Sequence, residues 1–179
     1  QEVLGGDFDP DNYTSRRLWA DARDGTKIPI SIVYHKDTQL SKNTPILQYA
    51  YGSYGHTIDP YFSSTRMSLL NRGFAFAIAH IRGGEYMGRH WYEEGKLLKK
   101  MNTFNDFIDC SKFLIQQKYT TADHLYANGG SAGGLLMGVP YLEFVGNQSA
   151  VILTISYFAF LKKNRSTRFL RYSRKVTND

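Results

Sequence analysis

The sequence predicts an α/β fold, and three observations predict it. Strand-like and helix-like stretches alternate in units of roughly 30 residues, the rhythm of parallel β-α-β layering. Residues 74–81 are almost wholly apolar, as a strand covered on both faces is. A six-residue turn almost free of side chains, Gly129-Gly130-Ser131-Ala132-Gly133-Gly134, joins a short strand to a helix. The chain has 179 residues, 42% of them apolar and 15% aromatic, enough for one globular domain. That composition excludes disordered, collagen-like and disulfide-built classes. The single cysteine, Cys110, cannot form an internal bridge.

The elements follow in order. Residues 18–23 and 28–34 flank Asp24-Gly25, a hairpin-turn signature. Residues 45–51 read as a strand ending in a glycine-rich turn at 52–55. Residues 63–71 form a short helix stopped by Gly73, with Met67 and Leu70 one turn apart. After the apolar strand at 74–81, Arg82-Gly83-Gly84 ends it. The next helix is the most regular. Thr103 is read as its cap, with Asp106 in the Glu position of a capping box. Phe104, Phe107, Ile108, Leu114 and Ile115 recur along one stripe at helical spacing. Residues 125–128 are a short strand, and Leu135, Leu136 and Met137 open the helix after the glycine turn. Val139-Pro140 is expected to interrupt that helix. The apolar run at 151–161 is a candidate interior strand, with an atypical segment at 140–161 and a basic tail at 162–179.

The formal net charge of +6 suggests an anionic partner until its position is read. Seven of the 22 Lys and Arg residues, but only one of the 16 acids, lie in residues 162–179, which leaves 15 of each sign before them. The body is neutral. Nucleic-acid or membrane-surface binding by the tail is therefore a minor reading beside a solvated end. The 11-residue run at 151–161 is also shorter than the roughly 20 residues a membrane helix needs. With no secretory pattern in the acidic opening stretch, the chain reads as soluble and cytoplasmic. It begins with Gln1 and not Met, as a piece of a longer chain does.

Residues 129–133 fit Gly-x-Ser-x-Gly, the nucleophile elbow of α/β-hydrolases. The chemistry explains the residue types. A serine on a sharp strand-to-helix turn needs neighbours without side chains, and the helix behind it points free N–H groups at a developing oxyanion. Chance agreement with all five fixed positions of Gly-Gly-Ser-x-Gly-Gly is below about one in a thousand. Arg82-Gly83-Gly84-Glu85 lacks the Lys-Ser/Thr ending of a phosphate loop. The five histidines (His35, His56, His80, His90, His124) are scattered, without metal-ligand spacing, so neither metal nor cofactor is expected.

Tyr51-Gly52-Ser53-Tyr54-Gly55, Leu69-Leu70-Asn71-Arg72-Gly73-Phe74 and Ile81-Arg82-Gly83-Gly84-Glu85 resemble the prolyl oligopeptidase family of serine peptidases. Gly88-Arg89-His90-Trp91-Tyr92, Gly95-Lys96, Lys99-Lys100 and Asn102-Thr103-Phe104-Asn105-Asp106-Phe107 extend the likeness, which covers about residues 1–139 and is strongest to the oligopeptidase B branch. The resemblance implies a partial α/β-hydrolase catalytic domain, truncated at its C-terminus and without the β-propeller that the family encodes upstream. It implies cleavage of short peptides after Arg or Lys. It makes Ser131 the nucleophile, the Ala132 N–H one oxyanion donor and the Tyr51 hydroxyl the other. It makes Asp59 an attractor of a basic substrate side chain, although the second acid of many relatives is Tyr61 here. Without the resemblance, Tyr51 reads as a packed strand aromatic and Asp59, before Pro60, as an ordinary turn residue.

One requirement is unmet. A serine nucleophile needs a base and an orienting carboxylate, in the chain order Ser, Asp or Glu, His. No histidine follows Ser131, and the only acids after it are Glu143 and Asp179. An upstream base such as His80 is a remote alternative. The 179 residues are thus expected to be inactive alone, marginally stable, and in need of a partner or further segment to cover an exposed sheet. An esterase-type hydrolase and a non-catalytic fragment are the competing readings.

Overall fold

Alternation along β2 (Lys27–His35) decides how the sheet is layered. Ile28, Ile30, Ile32 and Tyr34 are buried on one face, while Ser31 and Val33 belong to the other. The computed structural model describes residues 8–144. Within them β1 (Tyr13–Asp21) pairs antiparallel with β2 across the expected hairpin, where Gly25 takes φ +83° and donates its N–H to the Ala22 carbonyl at 2.8 Å. With β3 (Ile46–Tyr49), β4 (Ala75–Ala79) and β5 (Leu125–Asn128) the sheet order is β1-β2-β4-β3-β5. Strands β4, β3 and β5 are parallel to one another, and β4 is antiparallel to β2. The expected parallel layering thus holds for three strands, with an antiparallel hairpin at the far edge. The fold is that of a partial α/β-hydrolase.

All five residues of β4 are buried, as its unbroken apolar run demands. Helix α1 (Ser64–Leu70) covers one face, where Leu70 packs with Phe76 and Ile78. Ser63 caps it by accepting from the Arg66 N–H. The other face carries α3 (Lys100–Gln116) and α4 (Ala132–Phe144). Phe104, Phe107, Leu114, Leu136 and Met137 close over Ile28, Ile30, Ile46 and Ala77 there. Buried Gln48 is satisfied across this interface. Its amide donates to the Phe107 carbonyl at 3.2 Å, and its oxygen accepts from the Ser111 hydroxyl at 2.8 Å. The short α2 (Arg89–Glu93) is not anticipated by the sequence reading. It sends Trp91 inward, with the indole N–H on the His80 carbonyl at 2.8 Å.

Two helix boundaries differ from expectation. Helix α3 begins at Lys100, three residues before Thr103, so the proposed capping box lies inside it. Thr103 instead donates to the Gly95 carbonyl at 3.0 Å, and Asp106 accepts from Arg82. A Thr and an Asp three apart also share one helix face, and here that face is buried. Helix α4 runs through Pro140 to Phe144 instead of stopping there. A proline removes only one backbone donor from a helix, and this one continues four residues beyond it. The candidate strand at 151–161 and the basic tail lie outside the described residues. Among the described residues no helix is long and apolar enough to cross a membrane.

His80, at the end of β4, is buried. It stacks on Tyr86 with ring centroids 3.7 Å apart and binds the Ser31 hydroxyl through Nε2 at 2.7 Å. Desolvation, helped by the charge of Arg17, lowers its pKa from 6.5 to about 3. The unfolded chain therefore binds a proton that the folded chain refuses. This contribution to stability is complete above about pH 6.5 and is lost as the pH falls towards 3. From pH 7 to pH 5 the chain is expected to lose about 2 kcal/mol through this group. Denaturant titrations at the two pH values check it, and His80→Gln should remove most of the difference.

Candidate active site

The sheet order itself selects the site. From β3 the chain crosses by α1 over one face to β4, then returns by α3 over the other face to β5. The loops leaving the carboxyl ends of β3 and β5 therefore part to opposite faces, the switch point at which open α/β sheets place a binding crevice. In the parallel register Tyr49 stands opposite Asn128. Tyr51 is two residues beyond the first, and Ser131 three beyond the second. The fold thus sets the loop of Tyr51 and the turn of Ser131, 80 positions apart, at the ends of neighbouring strands.

The elbow is tight enough to require glycine at position 129. Ser131 holds φ +56°, a left-handed conformation that non-glycine residues rarely adopt, and is exposed. A Cβ on Gly129 would stand 2.5 Å from the Gly133 carbonyl oxygen. One on Gly133 would stand 3.1 Å from the Ala50 carbonyl oxygen and 3.7 Å from the Tyr51 Cα and ring. The chain reverses through Gly133 N–H to Gly130 O at 2.8 Å and Gly134 N–H to Ser131 O at 2.9 Å. Helix α4 starts at Ala132, so the Ala132 N–H is one of the first-turn donors that a helix leaves without an internal acceptor. Its positive end faces the serine.

Tyr51 is half-buried against Gly133, with its ring edge-on to His56 at 5.4 Å and tilted to Tyr54 at 6.4 Å. Asp59 is exposed in the loop that carries Tyr51 from β3 to α1. Among the described residues Asp59 has no ion-pair partner, and the Ser131 hydroxyl has no hydrogen-bond partner. His80 bonds to β2, with β3 between its own strand and the elbow strand. Its one bonded nitrogen and its low pKa leave it unsuited to be the base for Ser131. Also among the described residues, no three His, Cys, Asp or Glu side chains gather in a metal-binding group. Cys110 is a buried thiol, its pKa pushed well up by desolvation.

Next to the loop after Tyr51, which bonds to it from Gly55 N–H to the Gly83 carbonyl, lies a charged framework that no sequence motif announces. Arg82 leaves β4 and is 5% exposed. It meets Asp106 of α3, itself 0% exposed, through its backbone N–H at 3.0 Å, Nε at 2.9 Å and a terminal nitrogen at 2.6 Å. Its other terminal nitrogen meets Asp24 of the hairpin at 2.7 Å. Burial works against the charge of both partners. The two carboxylates nonetheless hold the Arg82 pKa above its ordinary value. One helical turn on, Asp109 takes Arg23 in the same way, at 2.9 Å and 3.1 Å from the guanidinium and 2.8 Å from the backbone N–H. The hairpin is thereby tied to α3, and α3 to the strand exit beside the loop after Tyr51.

A profile of the prolyl oligopeptidase family matches residues 60–143. The matched stretch is a prolyl oligopeptidase segment. It is 52% identical over 152 residues to a dipeptidyl aminopeptidase BI of Pseudoxanthomonas mexicana, a match covering 84% of this chain and 21% of the relative. It is 45% identical over 135 residues to protease 2 of Moraxella lacunata, covering 75% and 20%. Among solved structures, oligopeptidase B of Trypanosoma brucei with covalently bound antipain superposes with a TM-score of 0.77 at 49% identity, over 82% of this chain and 21% of that one. Oligopeptidase B of Leishmania major does so with a TM-score of 0.73 at 54% identity, over 75% and 19%. The chain thus spans about a fifth of the length of these prolyl oligopeptidase relatives.

Proposed function

We propose that Ser131 is the nucleophile of a serine oligopeptidase that cleaves short peptides after Arg or Lys. The observation that carries this is the strained Ser131 at φ +56° on a turn where Gly129 admits no side chain, with Tyr51 packed against Gly133. In the reaction the Ser131 Oγ bonds to the scissile carbonyl carbon while its proton passes to a base. Negative charge gathers on the carbonyl oxygen, between the Ala132 N–H and the Tyr51 hydroxyl. The C–N bond then breaks, the base protonates the leaving amine, and water releases the acyl group from Ser131. No histidine follows Ser131 to serve as this base, so these 179 residues alone are expected not to turn over. Asp59 attracts the basic substrate side chain. A single buried cysteine fits a reducing, cytoplasmic setting, and the neutral body of the chain fits peptides better than nucleic acid as partners.

The test is a hybrid in which residues 8–144 replace the matching segment of the Leishmania major enzyme. It should hydrolyse Arg- and Lys-amides in preference to neutral ones, and peptides in preference to simple esters. A folded hybrid that favours esters or neutral side chains would contradict the reading. The name of the Pseudoxanthomonas relative favours a second cleavage pattern, dipeptide release, which free and blocked N-termini on the same substrates separate. In this hybrid Tyr51→Phe should lower kcat by about 10²–10³-fold with KM nearly unchanged, the effect of deleting one oxyanion donor.

A further inference from the structure

Lys100 is an expensive placement that nothing so far accounts for. It is the first residue of α3, where the helix dipole disfavours a cation. The side chain is half-buried, and desolvation lowers its pKa. Among the described residues it has no carboxylate partner. A desolvated charge without a counter-ion survives only where hydrogen bonds compensate it. Here the ammonium donates to two neutral acceptors, the Gly52 carbonyl oxygen and the Ser53 hydroxyl, the latter at 2.8 Å.

Those acceptors belong to the two residues directly after Tyr51, in a turn that is left-handed at three of its four residues. Gly52, Tyr54 and Gly55 take φ +65°, +58° and +65°, three left-handed residues within four. A Cβ on Gly52 would fall 2.5 Å from the Thr103 methyl and 2.7 Å from Ile81. Further along, Gly55 N–H donates to the Gly83 carbonyl and His56 N–H to the Ser53 carbonyl, each at 3.0 Å. The segment between Tyr51 and these bonds is gripped by Lys100.

We propose that Lys100 is a positioning residue for Tyr51: by bridging Gly52 and Ser53 it fixes the turn that holds the Tyr51 ring beside the elbow. That the phenol then serves an oxyanion rests on the reading above, whereas the clamp itself does not. It can therefore be tested without turnover, on the full 179-residue chain carrying 3-fluorotyrosine at position 51. In Lys100→Met the amides of Gly55 and His56 should exchange about tenfold faster, with Ser53→Ala in between, while amides of β4 and the middle of α3 keep their protection. The fluorine resonance at position 51 should broaden or move towards that of an exposed tyrosine. The melting temperature of Lys100→Met should hold or rise, because a buried charge has been removed. A merely structural lysine gives the opposite pattern, a lower melting temperature with protection lost evenly. That pattern overturns the proposal, as does an unchanged fluorine signal. If Lys100→Met does not fold, Ser53→Ala decides by the same readouts. Tyr51→Phe in the hybrid can fail while these measurements succeed, and the reverse, so the two claims fall separately.

Discussion

Asp106→Asn should destabilise the chain by about 3–5 kcal/mol, the range found when one partner of a buried ion pair is removed. For a domain of this size that lowers the melting temperature by about 10 °C or more. The expectation follows from geometry. Asp106 is fully buried and accepts three bonds from Arg82, one of them from its backbone N–H. Arg82 cannot give up its proton, so an amide opposite it leaves a buried guanidinium with only the half-exposed Asp24 as counter-ion. The pair links β4, α3 and the hairpin, so the loss is cooperative. Replacing both partners, Arg82→Met with Asp106→Leu, should cost less than Asp106→Asn alone, because no charge is stranded. Thermal and denaturant unfolding measure both. A change below about 1 kcal/mol for Asp106→Asn would show that the network is incidental.

Ser131→Ala should have the larger effect on chemistry. In the hybrid it should reduce kcat/KM by about 10⁴-fold or more, the scale seen when a catalytic serine is deleted. The substitution keeps a Cβ in the same left-handed backbone, so the elbow and the Ala132 N–H remain. Folding should be almost unaffected, because the Ser131 hydroxyl is exposed and without a hydrogen-bond partner among the described residues. A hybrid that keeps its rate within tenfold after Ser131→Ala would remove this serine from the mechanism.

What could be seen in the sequence was whatever steric need stamps on residue types. The elbow was legible because Gly129 and Gly133 each face backbone that a Cβ would strike or crowd. The β4 strand was legible because burial on both faces forbids polar residues. Thr103 and Asp106 misled for a physical reason: their spacing is that of a cap, but it is also that of two inward neighbours on a helix. Their partners, Gly95 and Arg82, lie 8 and 24 residues upstream, and only the folded chain brings them close. The Lys100 clamp was illegible because one of its acceptors is a backbone carbonyl, which has no letter in a sequence. Helix α2 is five residues long, too short for periodicity to register, although the Arg89–Glu93 pair at 3.0 Å has the spacing that stabilises a helix. Tyr51 stood between packing and chemistry. Its ring proved half-buried beside the elbow strand, a position that spacing along the chain does not reveal.

The central claim is that Ser131 becomes acylated. Its most direct test is intact mass and peptide mapping of the hybrid after reaction with a fluorophosphonate. One phosphonyl group per chain is expected, on Ser131, with activity lost in step and no label in Ser131→Ala. An active hybrid that takes its label on another residue, or takes none, would contradict it.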